Sequence, residues 1–328
     1  MASDNVKIVQ YLVDTRGLWP KATKTKDLEI EASRALALLT EDEKKAVLRY
    51  YFVADAKMSL TSHLLKHWVV SKYADVPWWE TKLTRDEKTK PIYRDPKTGK
   101  QPVAFNVSHQ CGIVALVAVA DYDGQVDVGT DVVCTTERRT RDHRVINTEG
   151  WGKFVDMHAD VFGRSEAHYL KSDLLSTQQQ QSGDDVLPPL ARGEEIVDFK
   201  LRCFYTLWCL REAYVKMTGD ALLAPWLKDL EFRRFRAPSP GKAFEQRADA
   251  DADADGEAGE VIKDHEIVFR GEKVDDANIC LRSLGPDYMT CTAVRTPGRK
   301  EDALGWDLGP FEFLSMEQIL DDAEARLS

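Results

Sequence analysis

Apolar residues recur along this chain with two spacings, and the switch between them marks off its elements. Alternation predicts a first strand at Lys7 to Asp14, and strands again in "VAFNVSH", "GIVALVAVA" and "QVDVGTDVV". The "DYDG" between the last two is a turn signal, so this part of the chain reads as an antiparallel meander. Helical spacing begins where Thr40 and Glu43 form an S/T-x-x-E start. Polar breaks divide "EDEKKAVLRYYFVADAKMSLTSHLLKHWVVSKYA" into two helices packed in succession. "FVDMHADVFGRSEAHYLKS" reads as one further helical region. A helix from about Asp198 to Thr218 stops at Gly219, the residue type best suited to a left-handed cap. "LKDLEFRRF", "HEIVFRGE", "NICLRSLG" and "YMTCTAVRT" supply closing strands, and "SMEQILDDAEARLS" a helical tail.

Two stretches carry neither spacing. Ser176 to Pro189, rich in Gln, Ser, Gly and Pro, reads as a loop. Residues 237–260, with alternating Ala and Asp, hold too little apolar surface to order, so an acidic disordered insertion is expected there. What remains is an α+β fold: a pseudo-two-fold pair of subdomains, each a small antiparallel sheet packed by helices. The halves are expected at 1–133 and 134–328, joined near residues 133 to 150. No strict repeat relates them in sequence.

Composition narrows the function classes. At 328 residues and 43% hydrophobic content the chain suits one large domain or two packed ones. A formal net charge of -10 argues against a nucleic-acid partner, although local basic clusters can still grip a phosphorylated small molecule. The six cysteines form no CxxC pair, and Cys203 and Cys209 fall inside a helical pattern, which speaks against zinc and disulfide frameworks. The N-terminus has no signal-peptide pattern and no segment offers about 18 uninterrupted apolar residues. A reduced, soluble, cytoplasmic protein without membrane contact is expected.

Four places break the apolar pattern with chemistry. In "TLWCLREAYVKMTGDAL", Tyr205, Trp208, Glu212 and Lys216 share one helical stripe. A surface Glu-to-Lys pair, worth roughly 0.2–0.5 kcal/mol, is the ordinary explanation. Asp131 in "VDVGTDVV" offers a second carboxylate, facing the core if alternation continues, with Gly129 permitting close approach of a backbone or ligand. Its ordinary explanation is a strand-end hydrogen bond. Asn106, Ser108, His109 and Gln110 give the strand "FNVSHQ" a polar end. The turn "KTGK" sets Lys97 and Lys100 around Gly99, able to present cations and N–H groups to a phosphate. Asp131 and Glu212 together offer oxygen ligands to a hard divalent cation such as Mg²⁺. A fifth candidate, the i,i+4 pair His63 and His67, lacks the glutamate of a zincin helix and is not taken as a metal site.

In this order, "GKQPVAFNVSHQ", "VGTDVV" and "WCLREAYVKMTG" closely resemble the three motifs of the 4'-phosphopantetheinyl transferases of the Sfp type. The likeness covers roughly residues 30 to 235. "YYFVADAKMSLTSHLLKHWVV" and "GDALLAPWLKDLEF" look most like filamentous-fungal members of broad carrier-protein range. The resemblance implies transfer of the phosphopantetheine arm of coenzyme A to a serine of apo acyl, aryl or peptidyl carrier proteins, releasing adenosine 3',5'-bisphosphate. It implies partners among fatty-acid, polyketide and nonribosomal peptide synthases and aminoadipate reductase, and a monomer. Asp131 and Glu212 would hold Mg²⁺, or Mn²⁺ in its place, with the coenzyme A pyrophosphate. Glu212 would be base for the carrier serine, and Lys216 would meet the phosphates and the departing bisphosphate. Ser108 and His109 match the 3'-phosphate positions, Gly99 and Lys100 the GK motif, and Lys45 adds a phosphate contact.

The sequence departs from that pattern in three places. Val133 stands where bacterial members often carry a third acid, and Gln110 is expected to complete the metal site instead, directly or through water. Arg211 replaces the lysine before the motif glutamate, and Gln101 separates Lys100 from Pro102. An apolar patch around Phe154 to Leu170 is expected to dock the carrier. Two rivals remain: a catalytically silent module binding coenzyme A or carriers, and a Mg²⁺ enzyme acting on another phosphorylated substrate.

Overall fold

The computed structural model describes residues 6–175, 193–220, 224–241 and 259–327. The loop expected at Ser176 to Pro189 and most of the acidic insertion, residues 242–258, lie outside the described residues. Strand β1 (Lys7–Asp14) forms where alternation placed it. It pairs antiparallel with β3 (Ile113–Ala120), which in turn forms a hairpin with β2 (Val103–Gln110). Cys111 and Gly112 join the hairpin, both at positive φ (49° and 86°), as a two-residue turn matched to strand twist requires.

The expected meander ends at this hairpin. Strand β4 (Asp127–Cys134) does not pair with β3 but joins β6 (Tyr288–Arg295), which pairs with β5 (Asn278–Leu284), in a second four-stranded sheet. The tail also changes place. Glu312–Phe313 adds a parallel strand to β1, and the last helix buries Met316, Ile319, Leu320 and Ala323 in the first half's core. The sheets therefore part between Ala120 and Asp127, ahead of the expected division at 133/134, and the C-terminus closes the first half.

Each sheet carries one long helix, in keeping with an α+β pair. Helix α1 (Glu41–Leu48) starts at the expected capping box, the Thr40 hydroxyl accepting from the Glu43 N–H while the Glu43 carboxylate accepts from the Thr40 N–H. Helix α2 (Val53–Ala74) follows and buries Leu60, Leu64, Leu65, Trp68 and Val69 with β2 and β3 side chains. The helix expected around residues 154–172 is broken: α3 (Trp151–Asp156) stops, and α4 (Arg164–His168) restarts at Gly163, whose N–H is accepted by Glu166 at 2.6 Å. Helix α5 (Glu194–Thr218) lies on the second sheet, buries Leu207, Leu210 and Ala213, and ends at Gly219 with φ 78°. Phe154, Phe162 and Leu170, expected at a docking patch, are core residues; Phe154 and Phe162 each pack 5.1 Å from Phe204 of α5.

Candidate active site

The two sheets meet along β2 and β4, and side chains close the seam. Asn106 Oδ1 accepts from the Thr130 N–H at 2.9 Å, Ser108 Oγ donates to Asp131 Oδ1 at 2.8 Å, and Gln110 Oε1 accepts from the Cys134 N–H at 3.0 Å. Partner numbers rise together, so the strands run parallel across the seam. These are alternate residues of β2 and point to one side of it. The polar strand end noticed in the sequence thus satisfies N–H groups that an edge strand would leave unpaired.

Gly129 sets the next layer. A Cβ there would lie 2.1 Å from the Ala213 carbonyl oxygen and 2.4 Å from the Met217 nitrogen, so only glycine lets α5 settle on β4. That approach brings Lys216 to the seam: its Nζ donates to Asp131 Oδ1 at 2.7 Å and to Ser108 Oγ at 2.9 Å. With the Ser108 to Asp131 bond, three side chains from three elements close a triangle. Asp131 is buried, with 6% of its surface exposed, which is tolerable for a carboxylate so paired.

A cavity of about 410 Å³ opens on this triangle. Its walls bring together Ser108, His109, Gln110, Asp131, Glu212 and Lys216. The stripe read from the sequence is confirmed by Trp208, Glu212 and Lys216 facing it; Tyr205, one turn earlier, instead hydrogen-bonds Asp142. Lys45 is not in this wall: it is largely exposed and pairs with Asp42 at 3.6 Å. Gly99 and Lys100 are also elsewhere, in a turn closed by the Asp95 N–H donating to the Lys100 carbonyl at 2.9 Å.

The charges in the cavity are tuned by burial and by one another. Desolvation pushes Glu212 up to about 7, Lys216 opposing and Asp131 adding to the rise. Among the described residues no hydrogen-bond donor reaches the Glu212 carboxylate. Burial opposes charge on Lys216, but Asp131 and then Glu212 outweigh it and raise its pKa. His109 is lowered by desolvation and then by the Lys216 cation, although the residue as a whole is exposed. A carboxylate titrating near neutrality beside a fixed cation can exchange a proton at physiological pH.

The donor set fits a divalent cation. Two carboxylates and an amide oxygen share one cavity, all hard oxygen ligands of the kind Mg²⁺ takes, and Glu212 has no hydrogen-bond partner among the described residues that would otherwise satisfy it. Gln110 is less free than expected. Its oxygen already serves Cys134, and its Nε2 donates to Glu137 Oε2 at 2.5 Å, which leaves one lone pair for an ion or a water. Glu137, Arg138 and Asp55 also line the cavity, and no sequence pattern singled them out. Arg211 points the other way. Fully buried, it donates to Glu166 at 2.6 Å, to the Leu230 carbonyl at 2.8 Å and to the Leu227 carbonyl, and so anchors α5 within the second core.

Two family models cover this architecture. The N-terminal 4'-phosphopantetheinyl transferase model matches residues 26–121 and the 4'-phosphopantetheinyl transferase superfamily model residues 127–267, so their boundary falls where the sheets part. The chain belongs to the 4'-phosphopantetheinyl transferase superfamily. It is a transferase of the Sfp type, close to fungal members of the NpgA kind. It is 45% identical to 4'-phosphopantetheinyl transferase 1 of Fusarium mangiferae, over 97% of this chain and 96% of the relative. It is 31% identical to NpgA of Emericella nidulans, over 90% and 85% of the two chains. The human L-aminoadipate-semialdehyde dehydrogenase-phosphopantetheinyl transferase is 27% identical over 57% of this chain and 50% of its own. No described helix is long and apolar enough to cross a membrane.

Proposed function

We propose that this transferase moves the 4'-phosphopantetheine arm of coenzyme A to a serine hydroxyl of apo acyl and peptidyl carrier proteins, in the presence of Mg²⁺ or Mn²⁺, and releases adenosine 3',5'-bisphosphate. The observation that carries this reading is the Lys216, Asp131 and Ser108 triangle beside a Glu212 pushed up to about 7. Glu212 accepts the proton of the carrier serine, whose oxygen then attacks the phosphorus bearing the pantetheine arm. The bond from that phosphorus to the bridging oxygen of the pyrophosphate breaks, and the oxygen leaves with the electron pair on the 5'-phosphate of adenosine 3',5'-bisphosphate. Lys216 neutralises charge that grows on that leaving group, the kind of preorganised electrostatic help on which phosphoryl transfer depends. Ser108 and His109 hold the 3'-phosphate at the end of β2. Asp131 and Glu212, with Gln110, would hold the metal, which would supply charge neutralisation at the pyrophosphate. Lys45, Gly99 and Lys100 remain outside this assignment, because the cavity wall does not include them.

Partners follow from the same reading. Carrier domains of fatty-acid, polyketide and nonribosomal peptide synthases are proposed substrates. Three of the animal relatives and one yeast relative are named for L-aminoadipate-semialdehyde dehydrogenase, so the carrier domain of an aminoadipate reductase is proposed as another. Incubation with Mg²⁺, fluorescent coenzyme A and an apo carrier protein tests the reading directly. Label on the carrier serine is expected, and a carrier left unlabelled while coenzyme A binds would favour the silent module instead.

A further inference from the structure

The last turn of α5, which carries Lys216, is held from outside its own half. Strands Leu83–Arg85 and Pro91–Tyr93 form a small antiparallel hairpin in the first half, with Arg85 opposite Pro91. Its tip, residues 86–90, reaches the C-terminal end of α5. Lys90 Nζ donates to two carbonyls at once, that of Lys216 at 3.2 Å and that of Val128 on β4. Lys88 Nζ donates to the Thr218 carbonyl at 2.8 Å and to Asp220 at 3.2 Å. The final carbonyls of a helix have no partner within it and carry the negative end of its dipole, so two ammonium groups are well matched to them.

The tip is shaped for this. Asp86 Oδ1 accepts from the N–H groups of Lys88 and Lys90, at 2.9 and 2.8 Å, which folds the loop so that both lysines face one way. Thr89 between them sits at φ 68°, a conformation a β-branched residue rarely adopts. Arg85 fixes it there by donating to the Thr89 carbonyl at 2.6 Å. Burial pushes Lys90 down to about 8, against the pull of Asp127 and Asp86. A half-buried lysine whose ammonium meets two carbonyls is placed for its contacts and not for solubility.

We propose that Lys90, seconded by Lys88, is a positioning residue of the transferase: it pins the Lys216 carbonyl to β4 and so fixes the Lys216 ammonium on Asp131. This rests on the proposed role of Lys216 in transfer. It acts through the backbone that bears the catalytic side chain, and needs no contact with substrate.

The test compares Lys90→Met and Lys90→Arg with the wild type, full length, in carrier labelling with Mg²⁺ and coenzyme A and in nitrogen-15 spectra of the lysine ammonium groups. Lys90→Met is expected to lower kcat about 10-fold or more with little change in the KM for coenzyme A, and to shift or broaden the Lys216 ammonium signal. Lys90→Arg is expected to recover much of both, and Asp86→Ala to give a weaker version of the same change. A Lys90→Met protein with wild-type kcat and an unmoved Lys216 signal overturns the proposal. So does a raised KM for coenzyme A at unchanged kcat, which would make Lys90 a phosphate contact. If the wild type itself labels no carrier, the functional reading fails, while the ammonium spectrum still decides the positioning role.

Discussion

The Lys216 ammonium meets the Asp131 carboxylate at 2.7 Å across two elements that only Gly129 allows to approach so closely. One residue without a side chain thus sets the distance between a strand and the helix that bears Lys216.

Gly129→Ala should therefore damage both fold and activity. Its Cβ would have to displace the Ala213 carbonyl, which is backbone and cannot rotate away. Overpacking of this kind costs about 1–3 kcal/mol, and kcat should fall with it as Lys216 leaves Asp131. Urea unfolding and carrier labelling measure the two effects. Wild-type values in both would mean that α5 sits farther from β4 than described.

Glu212→Gln should abolish transfer through loss of the proposed base, a loss that lowers rates by roughly 10²–10⁴, while the fold stays intact. The same variant carries a pH signature. A carboxyl raised to about 7 favours the folded state fully below its ordinary value near 4.5, and this contribution is lost as pH rises through 7. Glutamine keeps the neutral form at every pH. In chelator, the variant should match the wild type at pH 5 and exceed it at pH 8.5 by on the order of 2 kcal/mol. Parallel stability curves would show that Glu212 is not desolvated.

Arg211→Lys keeps the charge next to Glu212 yet should behave as a structural lesion. Lysine cannot serve Glu166 and two carbonyls from one planar group. Arg211→Met, which strands Glu166 in the core, should cost about 3–5 kcal/mol. Below its lowered melting temperature the KM for coenzyme A should be unchanged. A large rise in that KM at full folding would put Arg211 in the site after all.

His265 should govern part of the acid limit. Burial lowers it to about 4, and its Nδ1 has no partner among the described residues. The folded state resists protonating it, so stability is full above pH 6.5 and falls by roughly 3 kcal/mol as pH drops towards 4. His265→Leu should flatten that limb in unfolding experiments at pH 7.5 and 4.5. The same slope in both proteins would assign acid sensitivity to other groups.

Local pattern was enough to place β1, the β2 and β3 hairpin, both long helices and the Gly219 stop, because alternation, helical spacing and caps are properties of neighbours in sequence. It did not reveal that β4 leaves the hairpin for β6, a partner more than 150 residues away, nor that the tail returns to β1. The same distinction runs through the site. Asp131, Glu212, Lys216 and the Ser108 to Gln110 strand end announced themselves as polar groups in apolar settings. Lys90, Glu137 and Asp55 sit in segments where charge is ordinary, and only the tertiary path of the chain gives them neighbours. Phe154 and Phe162 misled in the opposite sense, since an apolar cluster at a broken helix looks alike whether it faces a partner or Phe204.

The seam along β2 has a consequence for how this enzyme tolerates change. Asn106, Ser108 and Gln110 register one sheet against the other, and Ser108 and Gln110 also face the cavity. Alignment and chemistry are written into the same alternate positions, so a substitution there that relaxes one must disturb the other. Selection for a new substrate has little room in this strand, and variation in carrier range must be sought on the outer surfaces.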